Sequence, residues 1–173
     1  EATGLDATAV AQGFARQEND VPLAKNTTAE EIASEGKFKA SQTGKAKIGD
    51  TEVSIKEIAS VKGGEMILRL EDGSTVNASD VEYGSSAEAL IYESVTDMNL
   101  NAATANAFVK GYEQSEGLSA QEYVLGFREA YRYGEYGFPV QEMSKDGFSA
   151  KLSQTQRSLA YDLGKTDMKY KVA

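Results

Sequence analysis

The sequence predicts an α+β fold, in which a small antiparallel β unit is followed by a subdomain of three or four helices. Three observations lead to this prediction. An acidic N-terminal stretch holds few large apolar residues, the middle of the chain alternates apolar and polar residues, and the C-terminal half has the spacing of amphipathic helices. The 173 residues have room for one ordinary domain or two small ones. We therefore divide the sequence into residues 1–36, 37–85 and 86–173.

The first segment, residues 1–36, carries seven acidic and two basic side chains, a net charge of −5. A stretch with this charge and so few large apolar side chains cannot bury enough surface to offset its conformational entropy. We expect a flexible N-terminal segment that limited proteolysis removes.

The second segment, residues 37–85, has the pattern of four or five short strands. Gly49, the Gly63–Gly64 pair and Gly73 separate the alternating runs. Glycine adopts the positive φ values that tight hairpin turns require, so a meander is expected. A small SH3-like or open barrel is the natural closure at this size. The residues expected to face inward are Val53, Ile55, Ile67, Leu68, Leu70 and Val76.

The third segment, residues 86–173, is predicted to be helical and packed on the β unit. Ser119 and Glu122 have the spacing of a capping box, which marks the start of a helix. A later helix is expected to stop at Gly164. Two Phe–Tyr pairs, each four residues apart, lie on the apolar stripes of neighbouring helices and are expected to be buried between them. These residues are Phe108, Tyr112, Phe127 and Tyr131.

The composition excludes several kinds of chemistry. Cys, His and Trp are absent, which removes thiol nucleophiles, imidazole-based triads and Cys/His metal sites. We therefore expect no cofactor and no metal. The net charge of −9 argues against a general nucleic-acid surface, and no apolar run is long enough for a membrane span. The lack of Cys suits a reducing cytosol or an exported protein without disulfides, and we expect a cytoplasmic location.

The densest group of aromatic side chains lies between Tyr131 and Pro139 and offers a candidate interaction surface. Arg132, Tyr133 and Tyr136 are its candidate contact residues, because Tyr131 belongs to the apolar stripe and the next positions turn away from it. The alternative is that these rings only cover the end of the core.

Two alternatives to an interaction surface remain at this stage. Asp and Glu side chains in turns and strands, such as Glu71, Asp72, Asp80 and Glu82, could serve a carbohydrate-active enzyme that uses carboxylates and tyrosines. The helical half could instead contact nucleic acid as an accessory domain. The basic residues for that contact would be Arg128, Arg132, Lys145, Lys151 and Arg157.

The spacing of small and aromatic residues after Val81 also resembles a known family. The pattern runs through Ala107-Phe108-x-x-Gly111-Tyr112, Tyr123-x-x-Gly126-Phe127-x-x-Ala130-Tyr131-x-x-Gly134 and Gln156-Arg157-x-x-Ala160-Tyr161-x-x-Gly164. It is similar to a segment of the large polyvalent proteins of integrative conjugative elements and phages of gut Clostridia. Such proteins string many domains together, often with a metallopeptidase-like module nearby.

The resemblance implies a non-catalytic interaction or structural module. Its partners would be other domains of the parent protein or a separate protein. A zinc peptidase helix needs two His, and this sequence has none, so any peptidase activity would lie outside it.

Overall fold

The computed structural model describes Phe38 and residues 44–115, 117–143 and 145–172. The prediction for residues 1–36 lies outside the described residues. The described part divides into two compact units, the first ending at Ser115 and the second beginning at Gly117. The boundary predicted between residues 85 and 86 falls inside the first unit.

The first unit contains one antiparallel sheet of five strands. Their order across the sheet is β4-β3-β2-β1-β5. Strands that follow each other in the chain are therefore neighbours in the sheet, except β4 and β5, which lie at opposite edges. The strands are β1 Lys45–Ile48, β2 Thr51–Lys62, β3 Glu65–Leu70, β4 Thr75–Asn77 and β5 Glu82–Tyr83.

The α+β class is confirmed, but the predicted SH3-like barrel is not, because the sheet is open and its edge strands β4 and β5 do not pair. These edges are nevertheless joined by only four residues, which include a 3₁₀ turn at Ala78–Asp80. A flat sheet of five strands would separate its edges by about 19 Å. A four-residue connection reaches at most about 17 Å, and a 3₁₀ turn shortens it. The sheet is therefore curled.

The long central strand β2 is bent by two irregularities in its pairing with β3, one after Ile55 and one after Ile58. At the second, the side chain of Asn106 replaces a strand partner. Its Oδ1 accepts the Ile58 N–H at 2.8 Å, and its Nδ2 donates to the Ile58 carbonyl at 3.0 Å. This pair satisfies backbone groups that the bulge leaves without a ladder partner.

Buried side chains alternate strictly with more exposed ones along β3, and this corrects the predicted inward face. Met66, Leu68 and Leu70 are buried, whereas Ile67 lies half-buried on the other face. Ile55 is buried as predicted. Val53 and Val76 are half-buried, but they lie opposite the buried Ala46 and Leu68 and so share the inward face, as predicted. The prediction was wrong for Ile67.

Within residues 44–115, the first unit contains two helices, α1 at Ser86–Asp97 and α2 at Ala102–Glu113. Each begins at a side chain that accepts an amide proton of the first turn. Ser85 Oγ accepts from Glu88 at 3.2 Å, and Asn101 Oδ1 accepts from Thr104 at 2.8 Å. Such caps satisfy amides that have no partner within the helix.

The second unit is built on helices α3 (Ala120–Glu135) and α4 (Gln154–Val172), with 3₁₀ turns at Val140–Glu142 and Phe148–Lys151 between them. The predicted capping box at the start of α3 is present, with Ser119 and Glu122 bonded reciprocally. The predicted stop at Gly164 is wrong, because α4 continues to Val172.

Gly164 serves close packing instead of ending the helix. A Cβ on Gly164 would lie 2.0 Å from the Tyr131 carbonyl oxygen, and a Cβ on Gly134 would lie 1.9 Å from the Tyr161 carbonyl oxygen. The backbones of α3 and α4 therefore touch, and only glycine fits at these two positions.

The burial predicted for Phe108, Tyr112, Phe127 and Tyr131 is confirmed, since each is at most 3% exposed. The two pairs belong to different compact units. Phe127 and Tyr131 stack on each other along α3, with ring centroids 6.0 Å apart.

Candidate functional site

The three residues predicted to form an interaction surface have different environments. Arg132 lies near the end of α3, where its Nη1 forms an ion pair with Glu135 Oε1, and its side chain is only 15% exposed. Its guanidinium also lies 5.9 Å from the centre of the Tyr131 ring. Arg132 is held within the helix end and is a minor part of the surface.

Tyr133 corrects the prediction, because it is completely buried. Its hydroxyl donates to the Glu142 carbonyl at 2.9 Å, and its ring meets the Phe138 ring edge-on at 5.8 Å. Met143 and Tyr161 pack against the same ring. Tyr133 therefore joins the chain after α3 to the helix, and it is a core residue.

Tyr136 is the member of the predicted set that is exposed. Half of it is accessible, and its ring stacks on Phe138 with centroids 6.0 Å apart. Val140 is 42% exposed four residues further on. We call Tyr136, Phe138 and Val140 the aromatic turn.

The backbone explains how the aromatic turn forms. Tyr136 ends α3, and Gly137 at φ 72° reverses the chain in the left-handed region. The Tyr161 hydroxyl then donates to the Phe138 carbonyl at 2.6 Å, which fixes the turn to α4. A fixed turn presents the Tyr136 ring at little entropic cost to binding.

A second candidate site lies in the first unit, where β3, the 3₁₀ turn, β5 and α1 surround a cleft of about 360 Å³. Glu65, Asn77, Tyr83, Glu93 and Thr96 contribute its polar lining. The Asn77 Nδ2 donates to Glu65 Oε1 at 2.9 Å, which orders one wall. This cleft could not be predicted from the sequence, because its residues come from several separate elements.

Tyr83 is the most unusual residue of the cleft. Its ring stacks on Tyr92 with centroids 5.2 Å apart and planes 5° from parallel. Its hydroxyl is buried and has no hydrogen-bond partner among the described residues. Burial raises the pKa of Tyr83 strongly, and the negative charges of Glu93 and Glu88 raise it further. Tyr83 therefore stays neutral and keeps its proton.

Glu88 ties α1 to the sheet behind that pair of rings. It is 6% exposed, and its Oε2 accepts the Lys45 amide at 2.9 Å. Burial raises the pKa of Glu88, although the amide hydrogen bonds partly oppose the shift. The Tyr92 hydroxyl accepts the Gly44 amide at 3.3 Å beside it.

Another buried carboxylate, Glu129 in α3, was also missed by the sequence analysis. It is fully buried, and its Oε1 accepts both the amide and the hydroxyl of Ser149, at 3.0 and 2.6 Å. A Cβ on Gly147 would lie 2.5 Å from the same oxygen. Glu129 thus holds the second 3₁₀ turn against α3, which is a structural role.

Several of the carboxylates and basic residues named for the two alternatives are engaged in structure. Asp72 accepts the amide and hydroxyl of Ser74, at 2.9 and 2.6 Å, and so forms a turn. Arg128 is 8% exposed, and Lys151 pairs with Glu122 at 2.8 Å. Among the described residues, acidic side chains form no group of three that would suit a metal ion.

Comparison of the chain with protein-family models, with curated proteins and with solved structures gave no match. Over the described part of the chain, every helix is too short or too polar to cross a membrane.

Proposed function

We propose that this chain is a non-catalytic interaction module of a multidomain mobile-element protein, acting in the cytoplasm. The observation that carries the proposal is the aromatic turn. In the described part of the chain only three large apolar side chains are clearly exposed, and Tyr136 and Val140 of this turn are two of them. Its partner is another domain of the parent protein or a separate protein.

Tyrosine suits such a contact because it offers a large apolar face and a hydroxyl. It is among the residues that contribute most to protein interfaces. The turn is anchored by two buried tyrosines, Tyr133 through the Glu142 carbonyl and Tyr161 through the Phe138 carbonyl. Exposed contact residues on a rigid support are what a preformed binding surface requires.

The first unit supports the same class of protein. Its bent strand β2, the pairing of β5 with β1 and the 3₁₀ turn before β5 favour a partly open, SH3-like arrangement. The resemblance of the helical half to large polyvalent proteins adds a multidomain context. The carbohydrate enzyme and the nucleic-acid contact have less support, because Asp72 and Arg128 are used in a turn and in the core.

Site-specific photo-crosslinking tests the proposal. A photoreactive phenylalanine analogue replaces Tyr136 in cells that make the natural protein, and the crosslinked peptide is identified by mass spectrometry. We expect a crosslink to one defined segment, within the parent protein or in a second protein. The control carries the same analogue at Asp162, which is exposed on α4.

Competition makes the test specific. An excess of the unmodified chain should abolish the crosslink from position 136, and the Tyr136→Ala chain should not. The proposal fails if position 136 crosslinks no more than position 162, or if the alanine variant competes equally well.

A further inference from the structure

We propose that the cleft of the first unit binds an organic cation, the ammonium or guanidinium group of a lysine or arginine side chain or of a small amine. The proposal concerns a different unit from the aromatic turn and does not depend on the proposed function.

The charge of the lining indicates the sign of the ligand. Glu65 and Glu93 lie at the cleft, and no basic residue is among the residues that line it. The first unit as a whole supports this, since residues 44–115 carry twelve acidic and six basic side chains, a net charge of −6. A cleft bordered by charges of one sign concentrates ligands of the opposite sign.

Tyr83 contributes an aromatic ring to the lining of the cleft. The face of such a ring attracts cations. Its hydroxyl oxygen is closed to solvent, so the hydrogen bonds of the ligand go to the carboxylates. A nitrogen cation carries several N–H donors for them.

The size and the ligand set favour an organic cation over a metal ion. The cleft, at about 360 Å³, is at the lower end of the range of about 300–1,000 Å³ for small-molecule sites. It suits one side chain rather than an extended peptide. Within the described residues, no three acidic side chains come together as a metal would need. Met66 and Val81 supply apolar lining for the methylene chain of an amine.

Nuclear magnetic resonance titration tests the proposal on the whole chain. The probes are N-acetyl-lysine methylamide, N-acetyl-arginine methylamide and cadaverine, with N-acetyl-norleucine methylamide as the neutral control. We expect saturable shifts of the Met66, Ala78 and Val81 amides with a cationic probe only, weakening as salt is added. Tighter binding of a blocked amino acid assigns the site to a peptide side chain, and tighter binding of cadaverine assigns it to a free amine.

Two variants and a matched control locate the binding. Glu93→Gln should weaken the cation about 5-fold, the upper range for an exposed charge pair. Tyr83→Leu removes the aromatic ring and should weaken binding about 2-fold to 5-fold. Glu71→Gln removes an equal charge outside the cleft and should change affinity by less than about 2-fold.

The proposal is overturned if none of the cationic probes gives saturable shifts at these amides. It is equally overturned if norleucine binds as well as the cations, or if Glu93→Gln and Tyr83→Leu both bind like the unmodified chain. Amide spectra of each variant verify that it is folded.

Discussion

Replacing Gly134 by alanine tests the close crossing of α3 and α4. In an exposed helix this change stabilises by about 1 kcal/mol, because alanine loses less backbone freedom on folding. Here the new methyl carbon would lie 1.9 Å from the Tyr161 carbonyl oxygen, where real contacts are not closer than 3.0 Å. The two helices must therefore move apart by about 1.1 Å at this point.

The structure sets the size of the effect. Inserting a methyl group into a packed interior costs about 1–3 kcal/mol. The separation also stretches the buried hydrogen bond from the Tyr131 hydroxyl to Asp167, which is 2.7 Å long, and losing such a bond costs about 1–3 kcal/mol. After the gain of about 1 kcal/mol in helix propensity is subtracted, we expect Gly134→Ala to lower the free energy of unfolding by about 1–5 kcal/mol.

Urea unfolding followed by far-ultraviolet circular dichroism measures this change. Ser158→Ala, at an exposed position of α4, is the control and should be neutral or slightly stabilising. The double variant Gly134→Ala with Gly164→Ala should cost less than the sum of the single changes, because one methyl group already separates the helices. A Gly134→Ala chain as stable as the Ser158→Ala chain would refute the close crossing.

Three further predictions follow from burial. Leu68→Asp should abolish or severely reduce folding, because it buries an unpaired charge, whereas Ile67→Asp on the half-buried face should cost clearly less; the order of their unfolding midpoints decides this. Tyr133→Ala should lose about 3–5 kcal/mol and Tyr136→Ala less than about 1 kcal/mol, and equal losses in urea unfolding would contradict the assignment of core and surface. The pKa of Glu88 is raised, so the folded state holds the Glu88 proton more tightly than the unfolded state does. The stability of the chain relative to Glu88→Gln should therefore fall as pH rises from the ordinary glutamate pKa through the raised one. Unfolding curves across acidic pH that show no such decline would contradict the raised pKa.

The turns and caps could be predicted from the sequence because each depends on a few adjacent residues. Gly63 and Gly64 adopt φ values of 57° and 82°, which their sequence position between two alternating runs already indicated. The capping box at Ser119 and Glu122 is equally local. Closure of the sheet depends on pairing between strands that are distant in the sequence. Local sequence patterns carry no information on that pairing, so they could not decide whether a barrel forms.

Tyr133 shows why the predicted surface was only partly right. An exposed face of α3 was expected for Tyr133, yet thirteen of the sixteen residues of α3 are buried. The chain after Tyr136 returns across the helix end, and the Glu142 carbonyl accepts the Tyr133 hydroxyl there. Glycine is ambiguous for a related reason, since the same residue type ends a helix or permits a close crossing, as Gly164 does.

The lengths of the edge strands affect how this sheet meets other chains. The sheet keeps its twelve-residue strand β2 at the centre, whereas the edges β4 and β5 have three and two residues. An exposed edge strand is a template to which a strand of a neighbouring molecule can add. A very short edge strand offers few hydrogen bonds to the added strand. Among the described residues, a second molecule that adds to β4 or β5 would find at most three residues of strand, too few to start the ladder of an aggregate.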